Sequence, residues 1–457
     1  MMRSYEKLFG KHVFGLAVLC GVAGMPSFVH AAQPSHVVNP GTTAWAEAAR
    51  TGRADLLIMG DSVTWFQGRG WDQGITKAAA ASVGLAGTGL IGDSGATGQG
   101  YGFSTYGAKF FNNGWDSSLD AVPAARQGYA PRVGLTATAG ATPLNGFSYG
   151  VDGMTLDPSA AYDWSLYTAS PTGGGGAMGA LRRVATANAS YSYNVLQTKS
   201  SVATATPADG LQKTVFQFAA TPSVASDIPQ EFQLRDVTNT SVLYSRLTRP
   251  GATGVTVSSL GYGGRPTKDF YNNVWSGDAA GRAEYLSNVV DGGSGKLNVM
   301  ITEGFNDRGD DTASINGVGP GSSAEGFADN VSSLIARVRS DWAADGHAAS
   351  DLSFTLVGMY ADQYDDLPVN PLFTFSEAER ALAEADPQIS FVDLFNAAPG
   401  YDEAVALGYM FDDTHPSWTG AQAYSEIIFN AIAVPEPTGL ALAGVAMVAF
   451  ARRPRRV

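Results

Sequence analysis

Apolar residues concentrate in four stretches of strand length, 54–59, 297–302, 352–359 and 389–394, with Gly, Pro, Asn or Asp close on either side. Runs this short and this apolar predict strands buried on both faces. Between them the period changes. Phe327, Val331, Leu334, Ile335, Val338 and Trp342 recur at helical spacing, the Ala-rich segment 73–83 suits a helix, and a last helix is expected from an N-cap at Ser417 to about Ala433. Strands alternating with helices predict an α/β fold, a parallel sheet with helices on both faces.

From 129 to 259 the pattern is of another kind. Thr, Ser, Val, Tyr and Phe recur in short runs such as 214–218 and 231–235, punctuated by Gly, Pro, Asn and Asp, with no long helical period. This predicts an inserted all-β, sandwich-like module at 129–259, which divides the α/β domain into 32–128 and 260–433.

The ends of the chain add two address-like segments. Residues 1–31 join Lys7 and Lys11 to an apolar stretch over 13–22 and a small-residue site at Val29-His30-Ala31, the pattern of a signal peptide. Residues 434–457 open with Val434-Pro435-Glu436-Pro437, continue through an apolar run over 439–451 and end in Arg452, Arg453, Arg455 and Arg456. That tail resembles the PEP-CTERM sorting segment of exopolysaccharide-producing bacteria, which implies recognition by envelope sorting machinery. An ordinary membrane anchor fits less well, because a bilayer needs roughly 20 apolar residues. Both segments predict an exported protein, in the envelope or outside the cell, anchored transiently by its tail.

Composition narrows the chemistry. The single cysteine, Cys20, lies in the signal, so no thiol is left for disulfides, thiolate metal sites or a cysteine nucleophile. Histidine is scarce as well, which argues against zinc, and no metal or other cofactor is expected. Without the signal's net +2 and the four tail arginines the formal charge moves from −13 to about −19. A surface so acidic repels nucleic acid and anionic membranes, and a neutral carbohydrate or small ester is the expected partner.

Serine chemistry needs a base, a group that sets the base's tautomer, and donors for an oxyanion. Of the five histidines, His12 and His30 belong to the signal and His36 to a Pro/Gly-rich leader, while His347 is expected to be a solvated surface residue. His415 remains, in Asp412-Asp413-Thr414-His415-Pro416-Ser417, and Asp412 can reach its imidazole from within the same loop. Ser62 follows the first strand in Gly60-Asp61-Ser62-Val63, and Asn306 follows another in Thr302-Glu303-Gly304-Phe305-Asn306-Asp307. In a parallel sheet both fall at the carboxyl ends of strands, where ligands bind.

These three strings, in this order and context, resemble the blocks of the SGNH (GDSL-like) hydrolase superfamily over about 54–110 and 260–433. The resemblance implies a three-layer, flavodoxin-like fold and an ester hydrolase working through an acyl-serine. Ser62 would be the nucleophile, His415 the general base and Asp412 its orienting carboxylate. The oxyanion hole would combine the Ser62 N–H, the Asn306 amide and a glycine N–H from Leu260-Gly261-Tyr262-Gly263-Gly264-Arg265, with Gly264 preferred to Gly263. Asp61 and Asp307 would be neighbours of the site. A β insertion between the serine and glycine blocks is also similar to bacterial peptidoglycan and polysaccharide O-acetylesterases, which implies an O-acyl, foremost O-acetyl, ester on an extracellular carbohydrate. Three alternatives stay open: a lipase-like or thioester hydrolase, an O-acyltransferase, and a non-catalytic glycan-binding envelope protein on the same scaffold.

Four further signals are set aside. Gly92-Asp93-Ser94 follows a glycine-rich run, 87–91, and not a full strand. Gly146-Phe147-Ser148-Tyr149-Gly150 has the letters of a nucleophile elbow, but no helix follows and a hairpin is expected. The string 174–179 has the letters of a dinucleotide loop without its βαβ frame and is expected to be a flexible loop. Asp307, Asp310 and Asp311 lack the order of a calcium loop and predict a solvated acidic loop.

Overall fold

Six strands form a parallel sheet: β1 (Arg53–Gly60), β2 (Leu85–Gly92), β3 (Gly254–Gly261), β4 (Lys296–Thr302), β5 (Leu352–Gly358) and β6 (Ile389–Asp393). Their spatial order is β2-β3-β1-β4-β5-β6. The computed structural model describes residues 36–65, 71–92, 159–169, 176–183, 212–222, 230–238, 241–261, 263–290, 295–364 and 371–433. It also describes short strands at 109–110, 115–118, 134–137, 147–148, 194–198 and 202–203. The expected signal at 1–31, the expected sorting tail at 434–457 and Ser94 lie outside the described residues.

β1 occupies the middle of the sheet, and its Leu56, Leu57, Ile58 and Met59 are all fully buried, as a strand covered on both faces requires. The covering helices fall into two groups that pack among themselves. Pro40–Thr51, Trp71–Ser82 and Trp418–Ala433 form one, and Ala279–Val289, Ala324–Ala344 and Pro371–Ala385 the other, so helices lie on both sides of the sheet. In Ala324–Ala344 the predicted stripe Phe327, Val331, Leu334, Ile335, Val338 and Trp342 is buried, and Ser323 caps the first turn by accepting from Gly326 N–H. Each large side chain in such a stripe contributes roughly 1.5–3 kcal/mol relative to exposure.

The described strands between β2 and β3 pair antiparallel, and some of them extend the parallel sheet. Ser241–Thr248 pairs with β2, Tyr162–Ala169 with Ser241–Thr248, and Gln212–Phe218 with Tyr162–Ala169. With Trp115–Ser118 and Gly134–Ala137 the sheet reaches 11 strands. In Gln212–Phe218, Thr214, Phe216 and Phe218 are buried while Lys213, Val215 and Gln217 are exposed, the alternation of a strand with one wet face. Gly176–Arg183, Asn194–Thr198, Val202–Ala203 and Gln230–Thr238 form a second antiparallel sheet.

Leu85–Gly92 is a full strand, where the sequence predicts less than one. Its glycines mark close approach instead of a turn: a Cβ on Gly87 would lie 2.2 Å from the Leu247 carbonyl oxygen, and one on Gly89 would lie 2.0 Å from Ser258 Oγ. Gly176–Arg183 is likewise a strand, so the end of the 174–179 string is not a flexible loop. Phe147–Ser148 pairs antiparallel with Lys109–Phe110. His347 is half-buried and stacked on Trp342 with ring centroids 4.0 Å apart, not solvated as the sequence predicts.

Candidate active site

β1 lies between β3 and β4, and the register places Gly60 opposite both Gly261 and Thr302. Three candidate loops therefore leave adjacent strands at one carboxyl-terminal edge, at the point where the strand order reverses. Gly60 ends β1 because nothing larger fits. A Cβ there would lie 2.0 Å from Thr302 Oγ1 and 2.4 Å from Thr64 Oγ1, hydroxyls that are hydrogen-bonded to each other at 2.8 Å.

Asp61 turns the chain into the short helix Ser62–Trp65 and caps it, its Oδ1 accepting from Val63 N–H at 2.9 Å. Ser62 is the first helical residue, and its N–H makes no hydrogen bond among the described residues, as expected for a helix start. Its Oγ lies 2.8 Å from His415 Nε2. On the far side of the ring, Nδ1 lies 3.0 and 3.1 Å from Asp412 Oδ2 and Oδ1. Asp412 Oδ1 also accepts the N–H of His415 at 2.6 Å and of Thr414 at 2.9 Å. Partial burial pushes the Asp412 carboxyl up, but these N–H groups and the imidazole outweigh it and hold its pKa below the ordinary carboxylate value.

The His415 loop is held from several sides. Phe411 N–H donates to the His415 carbonyl at 2.9 Å, and Ser417 Oγ accepts from Gly420 N–H at 3.2 Å, capping the last helix as predicted. From beyond β5, the Tyr360 hydroxyl donates to the Thr414 carbonyl at 2.5 Å, and Asp362 accepts from Thr414 Oγ1 at 3.4 Å. Asp362 is bound in turn by both terminal nitrogens of Arg308, at 2.8 and 2.7 Å. Sequence reasoning missed Tyr360 and Asp362; their place just past the carboxyl end of a strand was the available signal.

The Asn306 amide donates to Asp61 Oδ2 at 3.1 Å, joining the asparagine loop to the serine loop. Asp307 is fully buried and accepts from Thr267 N–H at 3.1 and 3.2 Å and from Thr267 Oγ1 at 3.0 Å. Asp310 is buried too while Asp311 is exposed, so only the last of the three carboxyls is solvated as the sequence predicts. Gly263 and Gly264 lie in the turn that leaves β3. Gly264 is exposed with φ 71°, a conformation that favours glycine even though an added Cβ would meet nothing within 4 Å. Among the described residues no three His, Cys, Asp or Glu side chains converge to hold a metal ion.

Beneath the site lies Glu303, buried, with neither carboxyl oxygen hydrogen-bonded among the described residues. Burial first, and then the carboxyls of Asp61, Asp307 and Glu379, push its pKa well above the ordinary value. Burial likewise raises Asp61 and Asp307 to about 7, against the lowering effect of hydrogen bonds from Val63 and Thr267. A carboxyl whose pKa is higher in the folded than in the unfolded chain gives full stability below the unfolded value and loses it as pH rises through the folded one. Melting temperature should therefore fall between about pH 5 and 8. Glu303→Gln, which keeps the shape and removes one ionisation, should make that fall shallower. A slope equal to the parent's would show that the Glu303 carboxyl takes no part in it.

No family model matches the sequence, and no curated protein matches it. Among solved structures, a peptidoglycan O-acetylesterase aligns with a TM-score of 0.53 and 14% identity, over 86% of this chain and 95% of that one. The fold is of the SGNH hydrolase type. Two other structures align with parts of it. An acetylxylan esterase from Geobacillus stearothermophilus, solved as a catalytic mutant, aligns at TM-score 0.26 and 16% identity over 39% of this chain and 73% of that one. A xylan-binding domain from Paenibacillus barcinonensis aligns at TM-score 0.24 and 14% identity over 36% of this chain and 98% of that one.

Proposed function

We propose that this chain hydrolyses O-acyl, foremost O-acetyl, esters of an extracytoplasmic carbohydrate through an acyl-Ser62 intermediate. The observation that carries this reading is the hydrogen-bonded line from Ser62 Oγ through His415 Nε2 and Nδ1 to Asp412, which joins positions 353 residues apart. His415 Nε2 takes the proton from Ser62 Oγ as that oxygen bonds to the ester carbonyl carbon. Asp412 keeps the other ring proton on Nδ1 and stabilises the imidazolium. The oxyanion is held by the Ser62 N–H, by the Asn306 N–H that Asp61 leaves unused, and by an N–H of the Gly263-Gly264 turn, Gly264 by preference. The imidazolium then protonates the departing sugar oxygen. Water, deprotonated by His415, attacks the acyl-serine and releases the carboxylic acid and free Ser62.

The substrate class rests on two supports. The acidic chain disfavours polyanionic partners, and the fold is like that of a peptidoglycan O-acetylesterase. The signal-like and tail segments support a glycan outside the cytoplasm and envelope sorting machinery as a partner. As a test, a fluorophosphonate probe should label the chain once, at Ser62 by peptide mass spectrometry, and the unlabelled protein should release acetate from acetylated xylan or peptidoglycan. Glycan binding without labelling or acetate release would replace this reading by a non-catalytic one. Faster turnover of long-chain esters than of acetate would replace the acetylated glycan by a lipid-like substrate.

A further inference from the structure

Asn306 is braced from two sides by buried aspartates. Asp307, beside it in sequence, is tied to Thr267 at the base of the glycine turn. Asp61 reaches it from the serine loop, with Oδ1 on Val63 N–H and Oδ2 on Asn306 Nδ2. The backbone of Asn306 offers little by comparison, its carbonyl accepting one long bond from Gly309 N–H at 3.4 Å. A side-chain amide has a broad terminal torsion and two N–H groups in one plane. Fixing one N–H on a rigid acceptor sets the plane, and with it the direction of the other.

Resting on the roles proposed above for Ser62 and Asn306, we infer that Asp61 is a positioning residue of the oxyanion hole, whose buried carboxyl aims the second N–H of Asn306 at the reacting oxygen. It acts through Asn306 and does not touch the substrate. Asp61 is well placed for this, since Val63 N–H locks its carboxyl and full burial keeps water from competing for Oδ2.

The test needs a variant that breaks the Asn306 bond and keeps the helix cap. Asp61→Asn does so: its oxygen can stay on Val63 N–H, while its NH2 faces the Asn306 NH2, donor against donor. Asp61→Ser, also a good N-cap but too short to reach Asn306, serves if the first variant does not fold. Asn306→Ala should lower kcat on p-nitrophenyl acetate by about 10²–10³-fold. Asp61→Asn should lower it by about 10–10²-fold with KM within about twofold, because the lost interaction strengthens only in the transition state. In the Asn306→Ala background, Asp61→Asn should cost less than about twofold more. Equal losses in both backgrounds, or parental kcat in Asp61→Asn, would overturn the role of Asp61 while leaving the active site standing. An Asn306→Ala protein with parental kcat would instead remove Asn306 from the oxyanion hole and this inference with it, while Ser62→Ala tests the active-site reading itself.

Discussion

Ser62→Ala is expected to lower kcat on p-nitrophenyl acetate by about 10⁴–10⁶-fold, the range seen when a serine is removed from a hydrogen-bonded triad, while some acceleration from the oxyanion donors survives. The fold should not notice. The Ser62 side chain is half-buried and among the described residues its Oγ bonds only to His415, while the turn it sits on is capped by Asp61 and the strand before it is buried. The melting temperature should therefore move by no more than about 2 °C, as for a substitution that leaves no cavity and no orphaned buried group. Steady-state rates and a thermal melt on the same sample check both halves. A loss of activity accompanied by a large drop in melting temperature would point to unfolding, and parental activity would remove Ser62 from the chemistry.

The sequence showed the parallel sheet and the line of Ser62, His415 and Asp412 because each depends on local pattern. A strand buried on both faces is a short apolar run, and a residue just after it stands at the sheet's carboxyl edge wherever the strand ends up. What stayed hidden depends on neighbours distant in sequence. The glycines of β2 look like turn residues until Leu247 and Ser258 are seen pressing against them. The antiparallel strands that extend the sheet could not be told from a separate module, since which edge a strand joins is not written in its own alternation. Asp307 and Glu303, polar residues in a loop, carry no local mark of burial, and Asp362 joins the site only because Arg308 and Thr414 converge on it from other loops.

Asp412→Asn should be the second most damaging change, and the loop's own hydrogen bonds say why. Asp412 Oδ1 accepts two backbone N–H groups, from Thr414 and His415, whereas Oδ2 faces His415 Nδ1 at 3.0 Å. An asparagine will keep its oxygen on the two backbone donors, which leaves its NH2 facing the ring. Nδ1 must then become an acceptor, the ring proton moves to Nε2, and the nitrogen that faces Ser62 Oγ can no longer take a proton. In an aspartate-to-asparagine change with this consequence in another serine hydrolase type, kcat falls by about 10⁴. Asp412 is more exposed than a buried triad carboxylate, so solvent can compensate in part, and a fall of about 10²–10⁴-fold is expected here. Fluorophosphonate labelling of Ser62 should slow in parallel, since acylation needs the same proton transfer, while melting temperature should hold because the backbone bonds survive. Asp412→Asn with parental labelling and turnover would assign the orienting of His415 to another group.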